Sequence, residues 1–195
     1  MKCDIVLAGV GGQGILSIAT VIGVAALANN LYLKQAETHG MSQRGGAVQS
    51  YLRLSDKPVY SDLIPYGKAD LILSVEPMES LRYLPYLSPG GWVVTNITAF
   101  RNIGNYPEME LIMAEVKKLP RAIAIDAEAI AKEIGNSKAS NMVMLGAATP
   151  FIDIAIESIE EGIRGIFGRK GEEIVTINLR ALHAGRTFAE NQIAR

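Results

Sequence analysis

A short apolar run, Ile5-Val6-Leu7-Ala8, leads straight into Gly9-Val10-Gly11-Gly12-Gln13-Gly14, and apolar residues at helical spacing follow at once. An unbroken apolar run of this length reads as a strand buried on both faces. Ile15, Ile18, Ala19, Ile22, Ala25 and Ala26 keep to one face of a helix, which Asn29-Asn30 can end. Strand, glycine turn and helix in that order make the first half of a βαβ unit. Such a unit requires a further strand beside the first and a sheet covered by helices.

The rest of the chain continues the alternation. Leu31–Ala36 is a strand candidate, Glu37–Gly46 a polar loop with three glycines, and Ala47–Leu54 a half-exposed strand. Asp56-Lys57-Pro58 is a turn, and Val59-Tyr60 reads as a short return strand. Asp70–Val75 is another buried strand, and Glu76-Pro77 opens a short helix near Met78 that Pro85 should end by Leu84. Pro89-Gly90-Gly91 reads as a turn into strand Trp92–Asn96, and Glu108–Lys118 as a helix. Ala122–Ile125 is a last strand, after which Asp126 can cap a helix to Ile134. Helical stretches then flank Pro150 at Asn141–Ala148 and Phe151–Ile156. Ser158 and Glu161 form a capping-box pattern, Gly168 stops that helix, and Ile174, Ile177, Ala181, Ala184 and Phe188 mark a final one. The expected fold is α/β: a single Rossmann-like domain over residues 1–195, with a mostly parallel sheet flanked by helices and a helical C-terminal third.

Composition narrows the function. A length of 195 residues suits one domain with its own core, and a net charge of −1 offers no field for a nucleic-acid backbone. A single cysteine, Cys3, excludes an internal disulfide and a four-cysteine iron–sulfur cluster, and it fits a reducing cytoplasm. Its place at the start of the first strand suits a small buried hydrophobe. The longest apolar stretch, Ile15–Ala28, is too short and too interrupted to span a membrane, and Asp4 breaks any leader-like run. The expectation is a cytoplasmic protein without nucleic-acid or membrane partners.

Gly9, Gly11 and Gly14 satisfy the G-x-G-x-x-G spacing. In a dinucleotide site the first glycine permits the turn, the second lets phosphate reach backbone, and the third lets helix pack on strand. The helix start then offers free N–H groups to an anion. Glu37, at the end of the second strand candidate, stands where such a site wants an acid. A free-standing NAD(P)- or flavin-binding protein is therefore one reading, and close packing around an empty loop is another. His39 can meet a ligand or brace the loop. Arg44, before Gly45-Gly46, can hold a phosphate or carboxylate, or pair with Glu37 or Glu76. Glu76 and Glu79 can form a carboxylate pair, although Glu79 also suits a first helical turn. His183 reads as a packing or surface residue of the last helix. The chain has no zinc-ligand spacing, no G-x-S-x-G elbow and no lysine after the glycine loop, which disfavours a self-sufficient hydrolase or NTPase.

Four segments together carry more than the glycine loop alone: GVGGQG at 9–14, ETHGMSQRGG at 37–46, ADLILSVEPME at 69–79 and NMVMLGA at 141–147. In this order they resemble the γ-type catalytic domain of 2-oxoacid:ferredoxin oxidoreductases, and among those the β subunit of the indolepyruvate enzymes. The resemblance covers essentially the whole chain. It implies a subunit of a complex that oxidatively decarboxylates 2-oxoacids, with indolepyruvate or an aryl pyruvate as substrate, to acyl-CoA. Thiamine diphosphate, Mg and the iron–sulfur clusters would sit on a large partner subunit, and ferredoxin would take the electrons. This chain would carry none of those groups and would contribute to coenzyme A binding. The candidate cofactor-binding residues are Gly9, Gly11, Gly12, Gln13, Gly14, Glu37, His39, Arg44 and Gly45, with no catalytic residue or metal ligand assigned. Met41 and Gln43 suit a partner-facing role. Such a subunit would be inactive alone, and an exposed apolar face would let it form a homodimer when isolated.

Overall fold

The apolar run at the start of the chain lies in the middle of a sheet. The computed structural model describes residues 1–39, 45–101 and 103–194. Its strands are β1 (Lys2–Val10), β2 (Tyr32–His39), β3 (Ala47–Ser55), β4 (Ala69–Ser74), β5 (Leu87–Asn96) and β6 (Ala122–Ile125), in the spatial order β2-β3-β1-β4-β5-β6. β1, β4, β5 and β6 run parallel, while β3 is antiparallel to both β1 and β2. The sheet is thus mostly parallel, as expected, with one reversed strand inserted beside its centre.

The helices are α1 (Ile15–Ala28), α2 (Pro77–Arg82), α3 (Met109–Lys117), α4 (Ala127–Ile134), α5 (Ser140–Ala148), α6 (Ile156–Phe167) and α7 (Glu172–Ile193). Side chains alternate across β1, so Ile5 and Leu7 enter one core while Val6 and Ala8 enter another. The first core joins the sheet to α1, α5 and α7 through Ile18, Ile22, Met142, Leu145 and Leu182. The second packs Val6, Ile72 and Val93 against Tyr51 and Tyr83. Cover on both faces explains why β1 needs no polar alternation.

α5 and α7 approach closely enough to exclude any side chain at two positions. A Cβ on Gly146 would lie 1.9 Å from the carbonyl oxygen of Leu182, and one on Gly185 would lie 1.9 Å from that of Val143. The helical third is therefore pinned by backbone meeting backbone, and the sequence pattern gave no sign of it.

Asp4 is a buried carboxylate on β1. Arg53, its register partner on β3, donates to both its oxygens at 2.8 and 3.2 Å. The same guanidinium donates to the carbonyls of Ser61 and Leu63, at 3.1 and 3.0 Å, and so ties down the β3–β4 connection. That explains a missed expectation: Val59-Tyr60 forms no return strand, because side-chain bonds rather than a ladder hold this segment.

Other expectations also shift. β2 runs on through Glu37 to His39, paired as far as His39 with Val48, because an edge strand needs no apolar pattern to form a ladder. Gly9 and Val10 belong to β1 rather than to the turn. Pro89-Gly90-Gly91 lies inside β5, where the register with β4 shifts. A Cβ on Gly91 would come within 2.8 Å of the Ala69 carbonyl oxygen, so glycine permits the close approach. Ser158 does not cap: α6 begins at Ile156 with Ala155 as its cap, and the Ser158 amide already donates to Ala155. Beyond Pro150 the chain makes a single 3-10 turn, Thr149–Phe151, not a helix to Ile156. Asp126 does cap α4, accepting from Ala129 at 2.9 Å.

Two outcomes follow. Gly146→Ala or Gly185→Ala forces backbone apart and should cost about 3 kcal/mol, lowering Tm by roughly 6–12 °C. Gly165→Ala in α6, where a Cβ meets nothing within 4 Å, should leave Tm unchanged or raise it; calorimetry on the three variants checks both. Burial, with Asp70 and Asp4 nearby, pushes the Cys3 thiol up to about 12. Cys3 should therefore stay unreactive toward a thiol reagent at pH 8 until the protein unfolds, and labelling under native conditions would contradict its placement.

Candidate functional site

Parallel strands bring their carboxyl ends to one edge of the sheet, where α/β folds hold ligands. Here that edge gathers the end of β1, the Val75-Glu76 exit from β4, Asn96 at the end of β5 and His39 at the end of β2.

The glycine loop is built by the backbone. Gly12 and Gly14 have φ of 103° and 80°, left-handed values that other residues adopt only with strain. Gly9 is glycine for a different reason: a Cβ there would lie 2.4 Å from Val75 Cγ2 and 2.9 Å from Ile15 Cδ1. Gly11 donates to the Gly46 carbonyl at 2.9 Å and accepts from the Gly45 amide at 3.3 Å. These two bonds extend the β1–β3 ladder beyond the strands and lock the glycine loop to the second glycine-rich segment. α1 begins from Gly14 without a side-chain cap and with no acidic residue in its first turn, so its amino end faces the crevice undefended.

A cavity of about 390 Å³ opens there. Gly11, Gly12 and Gly14 form one wall, Val10, Ile15, Leu16 and Val48 supply apolar surface, and Glu37 and His39 face them. His39 Nδ1 stands 3.3 Å from Glu37 Oε1. The loop and the end of β2 therefore do converge. The dinucleotide analogy weakens at the same point. In that fold the acid-bearing second strand adjoins the first, whereas here β3 separates β2 from β1 by two strand spacings, roughly 10 Å.

Gln13, Asn96 and Asn141 take part in a neighbouring polar pocket of about 70 Å³. Gln13 Oε1 accepts from the Val10 amide at 2.7 Å, and its Nε2 donates to the Val75 carbonyl at 3.3 Å. Asn96 Nδ2 donates to the same carbonyl at 3.3 Å and to Glu128 at 2.8 Å, while its Oδ1 accepts from the Ala127 amide. Asn141 Nδ2 donates to the Gly14 carbonyl at 3.4 Å. These amides join the ends of β1, β4 and β5 to α4 and α5, so Gln13 braces the loop from behind. The order of predicted strand ends lets the glycine loop, the Glu37–Gly46 loop, Glu76 and Asn96 converge on one crevice; Asn96 does meet Gln13 behind the loop, Glu76 does not line either pocket, and Asn141 had no assigned part there. Asn141 opens one of the resembling segments, but only tertiary contact ties it to Gly14.

Glu76 points away from the cavity. One carboxylate oxygen caps α2 through the Glu79 amide at 2.9 Å. The other accepts from the Phe100 amide at 3.4 Å and from the Tyr106 hydroxyl in a short hydrogen bond. The carboxylate is fully buried and fully engaged. Burial raises the pKa of the neighbouring Glu79, which is paired with Arg82 at 2.9 Å. His183 pairs with Glu160 at 2.9 Å on the outer surface of α7. Arg44, Met41 and Gln43 lie outside the described residues. Among the described residues no cluster of His, Cys, Asp and Glu could hold a metal ion, and no helix is long and apolar enough to cross a membrane.

Burial and the Glu76 carboxylate hold the Tyr106 hydroxyl above its ordinary pKa. The neutral phenol donates the bond, so its stabilisation is complete below pH 10 and fades as pH rises from there through the folded-state value. Tyr106→Phe should cost about 1–2 kcal/mol at pH 8 and should flatten that alkaline loss. Urea titrations at pH 8 and 10.5 measure both, and an unchanged pH slope would deny the pairing.

The chain shares this architecture with solved proteins. It superposes with TM-score 0.69 on the gamma subunit of a keto/oxoacid ferredoxin oxidoreductase from Geobacter sulfurreducens, at 24% identity, covering 97% of this chain and 99% of that one. It also superposes with TM-score 0.75 on 2-oxoglutarate:ferredoxin oxidoreductase from Magnetococcus marinus, again at 24% identity. There it covers 97% of this chain but only 31% of the longer polypeptide. In sequence it is 40% identical over 200 residues to indolepyruvate oxidoreductase subunit IorB of Pyrococcus horikoshii, with 97% of each chain aligned. Residues 4–188 match the pyruvate ferredoxin/flavodoxin oxidoreductase family, and the chain belongs to it.

Proposed function

We propose that this chain is the small subunit of an indolepyruvate-type 2-oxoacid:ferredoxin oxidoreductase. The observation that carries the reading is end-to-end alignment with the Pyrococcus horikoshii subunit at 40% identity. The resemblance to indolepyruvate-type enzymes implies that the iron–sulfur clusters, thiamine diphosphate and Mg sit on a large partner subunit, and a single cysteine in 195 residues, too few for a four-cysteine cluster, supports that division. Thiamine diphosphate supplies the carbanion chemistry of decarboxylation there. The present chain works by holding and orienting a reactant in the cytoplasm, as one domain of the assembly.

Coenzyme A is the reactant that the cavity suits. The glycine wall lets phosphate oxygens approach backbone at the uncapped start of α1. Val10, Ile15, Leu16 and Val48 offer apolar contact to an aliphatic arm. A cavity of 390 Å³ takes part of such a ligand and leaves the reactive thiol to extend toward the partner. Gly9, Gly11, Gly12, Gly14 and Gly45 shape the loop, Gln13 braces it, and Glu37 with His39 borders the ligand. Arg44 supplies the cation.

The test is anaerobic co-expression with the large subunit and an assay of indolepyruvate-dependent viologen reduction. Activity should require both chains. Arg44→Ala should raise the apparent KM for coenzyme A about tenfold with kcat nearly unchanged, as expected when a ground-state contact to an anion is lost. Tight nicotinamide or flavin binding by the isolated chain would overturn the subunit reading in favour of a free-standing dinucleotide protein.

A further inference from the structure

α1 is unusual for a helix that reaches the surface. Its 14 residues contain no charged side chain, and neither end carries the usual complementary charge. Helices at a solvated surface normally place charged and polar residues outward. Here the outward line consists of Leu16, Thr20, Val24 and Leu27. The three apolar members are exposed at 52%, 41% and 62%. The one polar member is neutralised internally, because Thr20 Oγ1 donates to the Leu16 carbonyl at 2.7 Å and so needs no external partner. The result is a charge-free stripe with no unmet hydrogen bond, the composition of an obligate interface core rather than of a wet one.

The stripe is continuous with the cavity, since Leu16 belongs to both. Among the described residues other large apolar side chains are also exposed, among them Tyr60, Leu63, Tyr66, Phe100, Ile103 and Leu111, but none of these lines this cavity. A reactant held at the glycine loop must reach thiamine chemistry on another chain, so the cavity mouth has to face that chain.

We infer that the Leu16–Leu27 face of α1, together with the mouth of the glycine-loop cavity, is the docking surface for the large subunit. The inference rests on the proposed function. The cavity favours this occupant over a second copy, because Leu16 belongs to both the stripe and the cavity and a homodimer would close the mouth against a chain that carries no thiamine chemistry. A large subunit can span the stripe, the cavity rim and the exposed edge of β2 in one surface.

The test is co-expression of the large subunit with tagged wild type, Leu27→Glu, Val24→Lys or, as a control on a different patch, Leu111→Glu. The α1 positions are exposed, so melting of each isolated variant should match wild type. Recovery of the large subunit and viologen-reducing activity should fall at least tenfold for both α1 variants and stay near wild type for Leu111→Glu. Full recovery with the α1 variants overturns the docking surface while leaving the subunit function intact. Failure of wild type itself to bind the large subunit overturns both. Sedimentation showing a wild-type homodimer that Leu27→Glu dissociates, with the large subunit still recovered, assigns the face to a second copy instead.

Discussion

From Cys3 to Val10, β1 lies away from water, so its backbone groups must find partners inside the sheet. That requirement places β3 on one side and β4 on the other, and it leaves the two sets of alternating side chains to nucleate two separate cores. The same strand delivers the glycine loop. Because β1 cannot shift without breaking both ladders, the turn at Gly11–Gly14 emerges at a fixed height above the sheet. The Gly11 bonds to Gly45 and Gly46 simply continue the β1–β3 pairing outward. The site is therefore an extension of the sheet's own hydrogen bonding.

Behind the loop, three side-chain amides do what a rigid loop of glycines cannot do for itself. Gln13 and Asn96 converge on the Val75 carbonyl, and Asn141 reaches the Gly14 carbonyl. The Val75 carbonyl lies just past the end of β4, where a buried carbonyl left unpaired would be costly, and Gln13 and Asn96 satisfy it. The Gly14 carbonyl already accepts from the Ser17 and Ile18 amides, so Asn141 adds a tie from the loop to α5, while Asn96 reaches α4. α5 is itself fixed against α7 through Gly146 and Gly185, so the C-terminal helices support the loop without touching the cavity.

Much of this was legible in the residues. The β1 run, the glycine turn and α1 followed from hydrophobic pattern and glycine spacing, and Asp126 and Gly168 marked helix ends where they stand. Other features were not. β2 extends through Glu37, Thr38 and His39 because an edge strand needs only one neighbour, which no periodicity reveals. Glu76 looked like one half of a carboxylate pair for chemistry. It turned out to cap α2 and accept from Tyr106, a residue 30 positions away that local pattern could not connect to it.

The sequence by itself determined the class of fold, the position of the glycine loop and the lack of the thiols a cluster requires. Those properties are local or additive: alternation, turn chemistry and composition need no partner to be read. Tertiary structure alone decided that β3 would separate β2 from β1, that Glu76 would cap α2 and not line the cavity, and that one side of an uncharged helix would remain in solvent. Each of these depends on which segments pack together. Contacts between residues distant in the chain set that packing through shape and hydrogen bonding, and they leave no periodic trace in the sequence.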